Sequence, residues 1–238
     1  MEKEWILVMD SGMGGLWTLN ELKKVLPNEN YIYFMDKTNC PYGNKSVKRL
    51  QRISENIIKK IMLKYRLKLI ILACNTLSSV AYNHLTKVFA YTPIVKISPY
   101  FSPEKFNNEQ TLVLATTNTI RHNAELKNYR NCKNVHLYGF DSLAKRIDEN
   151  KNDLDVLVPY LHQKLKQFKS KNIKNIVLGC THFNYIKTQL ISIFGNVKFF
   201  ENSKIVAQIS KKTLKKLEKF QNDEKKEQNN QLIMLYKI

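Results

Sequence analysis

The feature of this chain that most limits its fold is a regular alternation of short, unbroken apolar runs with longer amphipathic stretches. The runs cover residues 5–9, 31–35, 67–73, 93–97, 111–115, 134–138, 175–179 and 197–200. Apolar residues recur at helical spacing in residues 16–26, 47–65, 78–89, 142–168, 185–194 and 205–220. A strand covered by helices on both faces reads as a continuous apolar run, not as an alternating one. The pattern therefore predicts an α/β fold of mostly parallel sheets flanked by helices. At 238 residues, 43% of them hydrophobic, the chain can form one large lobe or two small ones around a substantial core. Disorder is excluded as its main state.

In open parallel sheets, ligands sit at the carboxyl ends of the strands. The residues at those ends form a consistent set of small polar or nucleophilic groups: Asp10-Ser11-Gly12, Asp36, Cys74-Asn75-Thr76, Thr116 to Thr119, and Cys180-Thr181-His182. They also repeat. The run ILACNT at 71–76 resembles VLGCTH at 177–182, so that Cys180 follows Cys74 by 106 residues. Asp10 and Thr116 are related by the same 106 residues, and Asp36 and Asp141 by 105. Such a repeat predicts two pseudo-symmetric lobes facing each other across a cleft, with one cysteine from each lobe presented to it.

Two opposed thiols suit one kind of reaction, the inversion of a carbon stereocentre by proton transfer. One base removes the proton from one face, and a second acid delivers a proton to the other. A thiol serves in either role because its reference pKa, near 8.5, is moved readily by a helix N-terminus or a nearby charge. A helix start is expected after each of the two cysteines. Asp10 and His182 lie beside the two thiols in sequence or in the expected strand order, where they can orient or assist them. Cys40 and Cys132 read as buried packing residues instead, the usual fate of a free cysteine. The loop Ser11-Gly12-Met13-Gly14-Gly15 leads into a helix, so its backbone N–H groups are candidates to hold a carboxylate. It lacks both the dinucleotide GxGxxG spacing and the phosphate-loop Gly-Lys-Ser/Thr, and no cofactor signature occurs elsewhere.

Other classes are excluded or disfavoured. The longest apolar stretch, residues 69–74, is far shorter than the roughly 20 residues of a membrane helix. The N-terminus reaches Asp10 before any run long enough for a secretion signal, so a cytoplasmic location is expected. Four widely separated cysteines suggest neither a zinc ribbon nor a disulfide framework, and no metal site is expected. Lys and Arg total 39 against 20 Asp and Glu, a net charge of +19, which invites a nucleic-acid reading. The lysines are spread over the whole chain, however, without the interleaved aromatic and arginine residues that stack on bases. Solvated helix faces account for the charge better.

Five motifs occur in the order found in glutamate racemases: DSGMGGL (10–16), PYGNKS (41–46), ACNT (73–76), the T-x-x-T of Thr116 to Thr119, and LGCTHF (178–183). The chain resembles that family from about residue 5 to residue 207. The resemblance implies a cofactor-independent interconversion of L- and D-glutamate by two cysteines, supplying D-glutamate for peptidoglycan. It implies Cys74 and Cys180 as the catalytic pair, the first acting on D-glutamate and the second on L-glutamate. Asp10 is implied as the assistant of Cys74, and His182 as that of Cys180. It implies Ser11, Pro41, Tyr42, Gly43, Asn75, Thr76, Thr116, Thr119 and Thr181 as holders of the substrate, and a homodimer as the assembly. The family has a glutamate assisting the second cysteine. Here Asp148 takes that place with a side chain one methylene shorter, and Glu149 competes for it. Further departures are Phe-Asn-Tyr after His182, where the family usually has Tyr-Pro-Leu, and Ala115 in place of a common glycine. Residues 1–96 and 205–238 are assigned to the first lobe and 97–204 to the second. A charged stretch at 222–230 precedes a last apolar segment, 231–238, expected to return as a strand to the first lobe.

Overall fold

The structure is a computed structural model and describes residues 3–217 and 230–237. The first seven elements alternate strictly. They are β1 (Glu4–Asp10), α1 (Leu16–Val25), β2 (Tyr31–Met35), α2 (Val47–Met62), β3 (Arg66–Leu72), α3 (Asn75–Val88) and β4 (Ile94–Lys96). A second series follows: β5 (Thr111–Thr116), α4 (Thr117–His122), α5 (Ala124–Lys127), β6 (Val135–Phe140), α6 (Leu143–Glu149), α7 (Val158–Leu165), β7 (Asn175–Gly179), α8 (Lys187–Phe194) and β8 (Lys198–Phe200). The chain then forms α9 (Ser203–Lys216) and β9 (Leu232–Leu235).

Two sheets result, ordered β4-β3-β1-β2-β9 and β8-β7-β5-β6, and every strand pair in them is parallel. The first four strands of each sheet correspond one to one, β1 with β5 and β3 with β7, which is the repeat seen in the sequence. β9 is the addition, lying parallel to β2 with Leu232 opposite Tyr31.

Why these runs become strands is visible in their burial. Along β1, Trp5, Leu7 and Met9 pack into one cluster and Ile6 and Val8 into the cluster on the opposite face, so both faces are covered. In the second sheet Leu112 and Leu114 face one cluster and Val113 the other. Residues 5–9 of β1 are all less than a tenth exposed, which requires an unbroken apolar run.

One expected element does not form. The helical pattern at 142–168 breaks into α6, a 3-10 turn at Leu154–Leu157, α7, and a second 3-10 turn at Lys166–Lys171. The Asp153 carboxylate accepts the Asp155 N–H at 3.1 Å and starts a new turn, and a proline opens α7, where a ring without an N–H is tolerated. Of the charged stretch 222–230, all but Asn230 lies outside the described residues, as do residues 218–220 of the expected last helix.

The sheets meet through a close backbone contact. The loop after β1 lies against the turn after β7 so tightly that a Cβ at Gly14 would stand 2.7 Å from Thr181 Cβ and 2.8 Å from its carbonyl carbon. The segments that carry the chain from one sheet to the other are joined to each other, because Asn202 Nδ2 donates to Ser98 O and, at 2.7 Å, to Tyr100 O. Gly14 has no positive φ among the described glycines, so an alanine there would by itself be neutral or slightly stabilising. The contact reverses that sign. Gly14→Ala is expected to lower stability by about 1–3 kcal/mol, the usual cost of overpacking. Chemical denaturation checks this, and an unchanged or raised midpoint would contradict the contact.

Candidate active site

Register decides which residues share the cleft. Met9 pairs with Leu72 and Ala115 with Gly179, so Asp10 and Cys74 leave neighbouring strand ends in one sheet, and Thr116 and Cys180 do so in the other. The space between these ends is lined by Ser11, Pro41, Tyr42, Gly43, Cys74, Asn75, Thr76, Thr116, Cys180, Thr181 and His182 among the expected residues. Cys74 and Cys180 are each 6% exposed, and both are free thiols. Asp10, Thr119 and Asp148 are not part of this lining. Asp10 and Thr119 are fully buried, and Asp148, on α6, meets the lining residues His182 and Cys40.

Cys74 stands at the N-cap of α3, where the Leu77 N–H and the Ser11 hydroxyl, 4.0 Å away, favour its thiolate. Burial works against them and dominates, and the Asp10 charge adds to it, so the Cys74 thiol is pushed well above the ordinary range. Asp10 is itself raised by burial, although the Ser11 N–H at 2.6 Å and the Thr181 hydroxyl at 3.1 Å both donate to it. The expected helix start after the second cysteine is a 3-10 turn, Thr181–Ile186, ahead of α8. That turn points His182 back at the cleft. Its Nε2 lies 3.3 Å from Asp148 Oδ2. Burial alone would lower the imidazole, but the contact with Asp148, followed by Cys180 and Asp10, outweighs it and holds His182 well above its usual range. Glu149, the competing acid, turns away to Lys145 at 3.5 Å.

The polar floor joins the two sheets. Thr76 and Thr116 hydroxyls are 2.8 Å apart, Thr116 and Thr119 2.9 Å, and Thr116 also caps α4 through the Thr119 N–H. Asn75 Oδ1 is buried and has no hydrogen-bond partner among the described residues, an arrangement that costs free energy until a donor arrives. The Pro41-Tyr42-Gly43 turn is held from beneath by Asp36, which accepts from Tyr42 Oη at 2.7 Å and from Asn39 Nδ2 at 3.0 Å. In the glycine-rich loop the Ser11 N–H turns to Asp10, and Gly12 and Gly14 allow the close approach of the loop to His182 and Thr181.

Cys40 corrects the sequence reading. Taken there as packing, it lines the cleft, with its Sγ 3.9 Å from Asp148 Oδ2. Its position directly before Pro41-Tyr42-Gly43 was the available signal. Asp141, already paired with Asp36 in the repeat, lines the cleft as well. Among the described residues no cluster of three or more His, Cys, Asp or Glu is arranged to hold a metal, and no helix is long and apolar enough to cross a membrane.

No family model matches this chain. Among curated proteins, the glutamate racemase of Clostridium acetobutylicum is 31% identical over 211 residues, 86% of this chain and 82% of that protein. Among solved structures, glutamate racemase from Francisella tularensis in complex with D-glutamate superposes with a TM-score of 0.82 at 27% identity, covering 98% of this chain and 88% of that one. The Escherichia coli glutamate racemase in complex with L-glutamate and the activator UDP-MurNAc-Ala gives 0.77 at 26% identity, covering 98% and 89%. With these likenesses covering most of its length, the chain belongs to the glutamate racemase family of amino-acid isomerases.

Proposed function

We propose that this protein interconverts L- and D-glutamate without a cofactor, by proton transfer between Cys74, Cys180 and the substrate Cα. The observation that carries the reading is the convergence of two repeat-related thiols, one from each sheet, on a single enclosed cleft. In one direction Cys180 as thiolate takes the Cα proton of L-glutamate, and the Cys74 thiol returns a proton to the opposite face. In the other direction the roles exchange. One shared proton on the thiol pair satisfies both. The substrate carboxylates accept from the hydroxyls of Ser11, Thr76, Thr116, Thr119 and Thr181 and from the backbone of the Pro41-Tyr42-Gly43 turn, donors suited to an anion. The substrate ammonium supplies the donor that Asn75 Oδ1 lacks.

That ammonium has a second effect. A cation entering beside a buried thiol lowers the cost of its thiolate, so binding itself prepares the base. Asp10 assists Cys74, and His182, poised by Asp148, assists Cys180. The proposal extends to a cytoplasmic enzyme, working as a homodimer, whose D-glutamate enters peptidoglycan.

Cys74→Ala and Cys180→Ala are each expected to reduce racemisation of glutamate by about 10³-fold, the scale of losing an acid–base group. Circular dichroism on L-glutamate, and on L-aspartate in parallel, measures this. Undiminished turnover in either variant, or turnover of aspartate alone, would contradict the reading. A second expectation concerns pH. Because burial and Asp10 disfavour the Cys74 thiolate, its carboxamidomethylation by iodoacetamide in the ligand-free protein is expected to be still rising at a pH where an ordinary thiol, with a reference value near 8.5, has levelled off. Peptide mass spectrometry follows the modification, and a plateau below about pH 8 would contradict a raised thiol.

A further inference from the structure

Asp148 is a half-exposed carboxylate at the edge of the cleft. It projects from α6 of the second sheet with its side chain 36% exposed, against 3% for His182 beside it. A side chain with that freedom samples several rotamers unless something across the cleft holds it. Its Oδ2 lies within ion-pair distance of His182 Nε2, at 3.3 Å, and accepts from Cys40 Sγ at 3.9 Å. The same oxygen lies 3.7 Å from where a Cβ on Gly12 would stand, so it is seated over the loop after β1.

Cys40, unlike Asp148, is on a fixed support. Asp36 binds Asn39 on one side of it and Tyr42 on the other, and Lys45 Nζ donates to Pro41 O at 3.3 Å. We propose that Cys40 is a positioning residue, whose thiol donates to Asp148 Oδ2 from the opposite sheet and so holds that carboxylate against His182. The direction of donation is fixed by the thiol's protonation. Burial first, with Asp148 and Asp10 adding and His182 opposing, pushes Cys40 up to about 11, so it remains S–H throughout the neutral range. Cys40 therefore neither shares in the proton relay nor repels the carboxylate. It acts on Cys180 through Asp148 and His182, a role that rests on the two-thiol reading above. The groups facing His182 are Asp148 from α6, Cys180 from the end of β7, Asp10 from the end of β1, and Cys40 and Tyr185.

The test compares full-length Cys40→Ala and Cys40→Ser with the native chain. Two enantiomers in an achiral solvent have an equilibrium constant of unity, so any variant changes kcat/KM equally in both directions, and rate alone does not locate the lesion. Two other readouts do. The His182 imidazole, followed by NMR titration, is expected to move to lower pH in Cys40→Ala and to return toward its native position in Cys40→Ser, where an O–H donor is restored. With Cα-deuterated substrates, Cys40→Ala is expected to raise the isotope effect on L-glutamate, whose proton goes to Cys180, and to lower that on D-glutamate, because the Cys180 step then limits both directions. The accompanying fall in kcat/KM is expected to be about 10-fold, in keeping with a displaced rather than deleted group. An unmoved His182 titration in Cys40→Ala, or identical behaviour of the alanine and serine variants, would overturn the proposal. A native chain that does not racemise glutamate would overturn the two-thiol reading instead, and the histidine titration alone would then decide whether Cys40 holds Asp148.

Discussion

The structure depends on one buried charge shared between two sheets. Asp10 is fully buried at the end of β1, and its carboxylate is satisfied partly by its own loop, through the Ser11 N–H, and partly by Thr181 of the other sheet at 3.1 Å. A carboxyl group in that position is tolerated only with such partners. Removing the Thr181 contact would leave Asp10 short of a donor. Separating the sheets therefore costs free energy at the place where the chemistry is proposed, and the glycines at 12 and 14 allow the approach by omitting the Cβ atoms that would collide with His182 and Thr181.

Electrostatics follow from that closure. Excluding water makes the Cys74 thiolate expensive, through burial first and through Asp10 second, while the same low-dielectric surroundings strengthen the pairing of His182 with Asp148. The two thiols thus sit in unequal settings, with a carboxylate beside one and an imidazole beside the other. An amino-acid substrate suits this arrangement. Its carboxylates match the hydroxyl cluster of Thr76, Thr116 and Thr119, and its ammonium matches the bare acceptor of Asn75.

Most of the architecture was legible because parallel strands covered on both faces leave an unmistakable pattern, as in β1, β3, β5 and β7. The repeat at 106 residues correctly aligned the strand ends that carry Cys74 and Cys180. The long helix expected at 142–168 failed because periodicity registers apolar spacing and not the local competition from the Asp153 side chain, nor the proline that opens α7. Asp148 and Glu149 were indistinguishable in sequence, since neighbouring positions on a helix point about 100° apart and only the partner in space selects one. Cys40 was misread for a related reason. Its partner, Asp148, is 108 residues away, and nothing in the residues around Cys40 announces a carboxylate across a cleft.

If two different groups handle the proton on opposite faces of Cα, the fate of that proton reveals them. A single-turnover reaction of L-glutamate in D₂O, stopped early and analysed by mass spectrometry of both enantiomers, follows it. Deuterium is expected at Cα of nearly all the D-glutamate formed and in almost none of the L-glutamate recovered. D-glutamate that retains the original proton, or deuterium appearing equally fast in both enantiomers, would mean that one base serves both faces, and would contradict transfer by two groups.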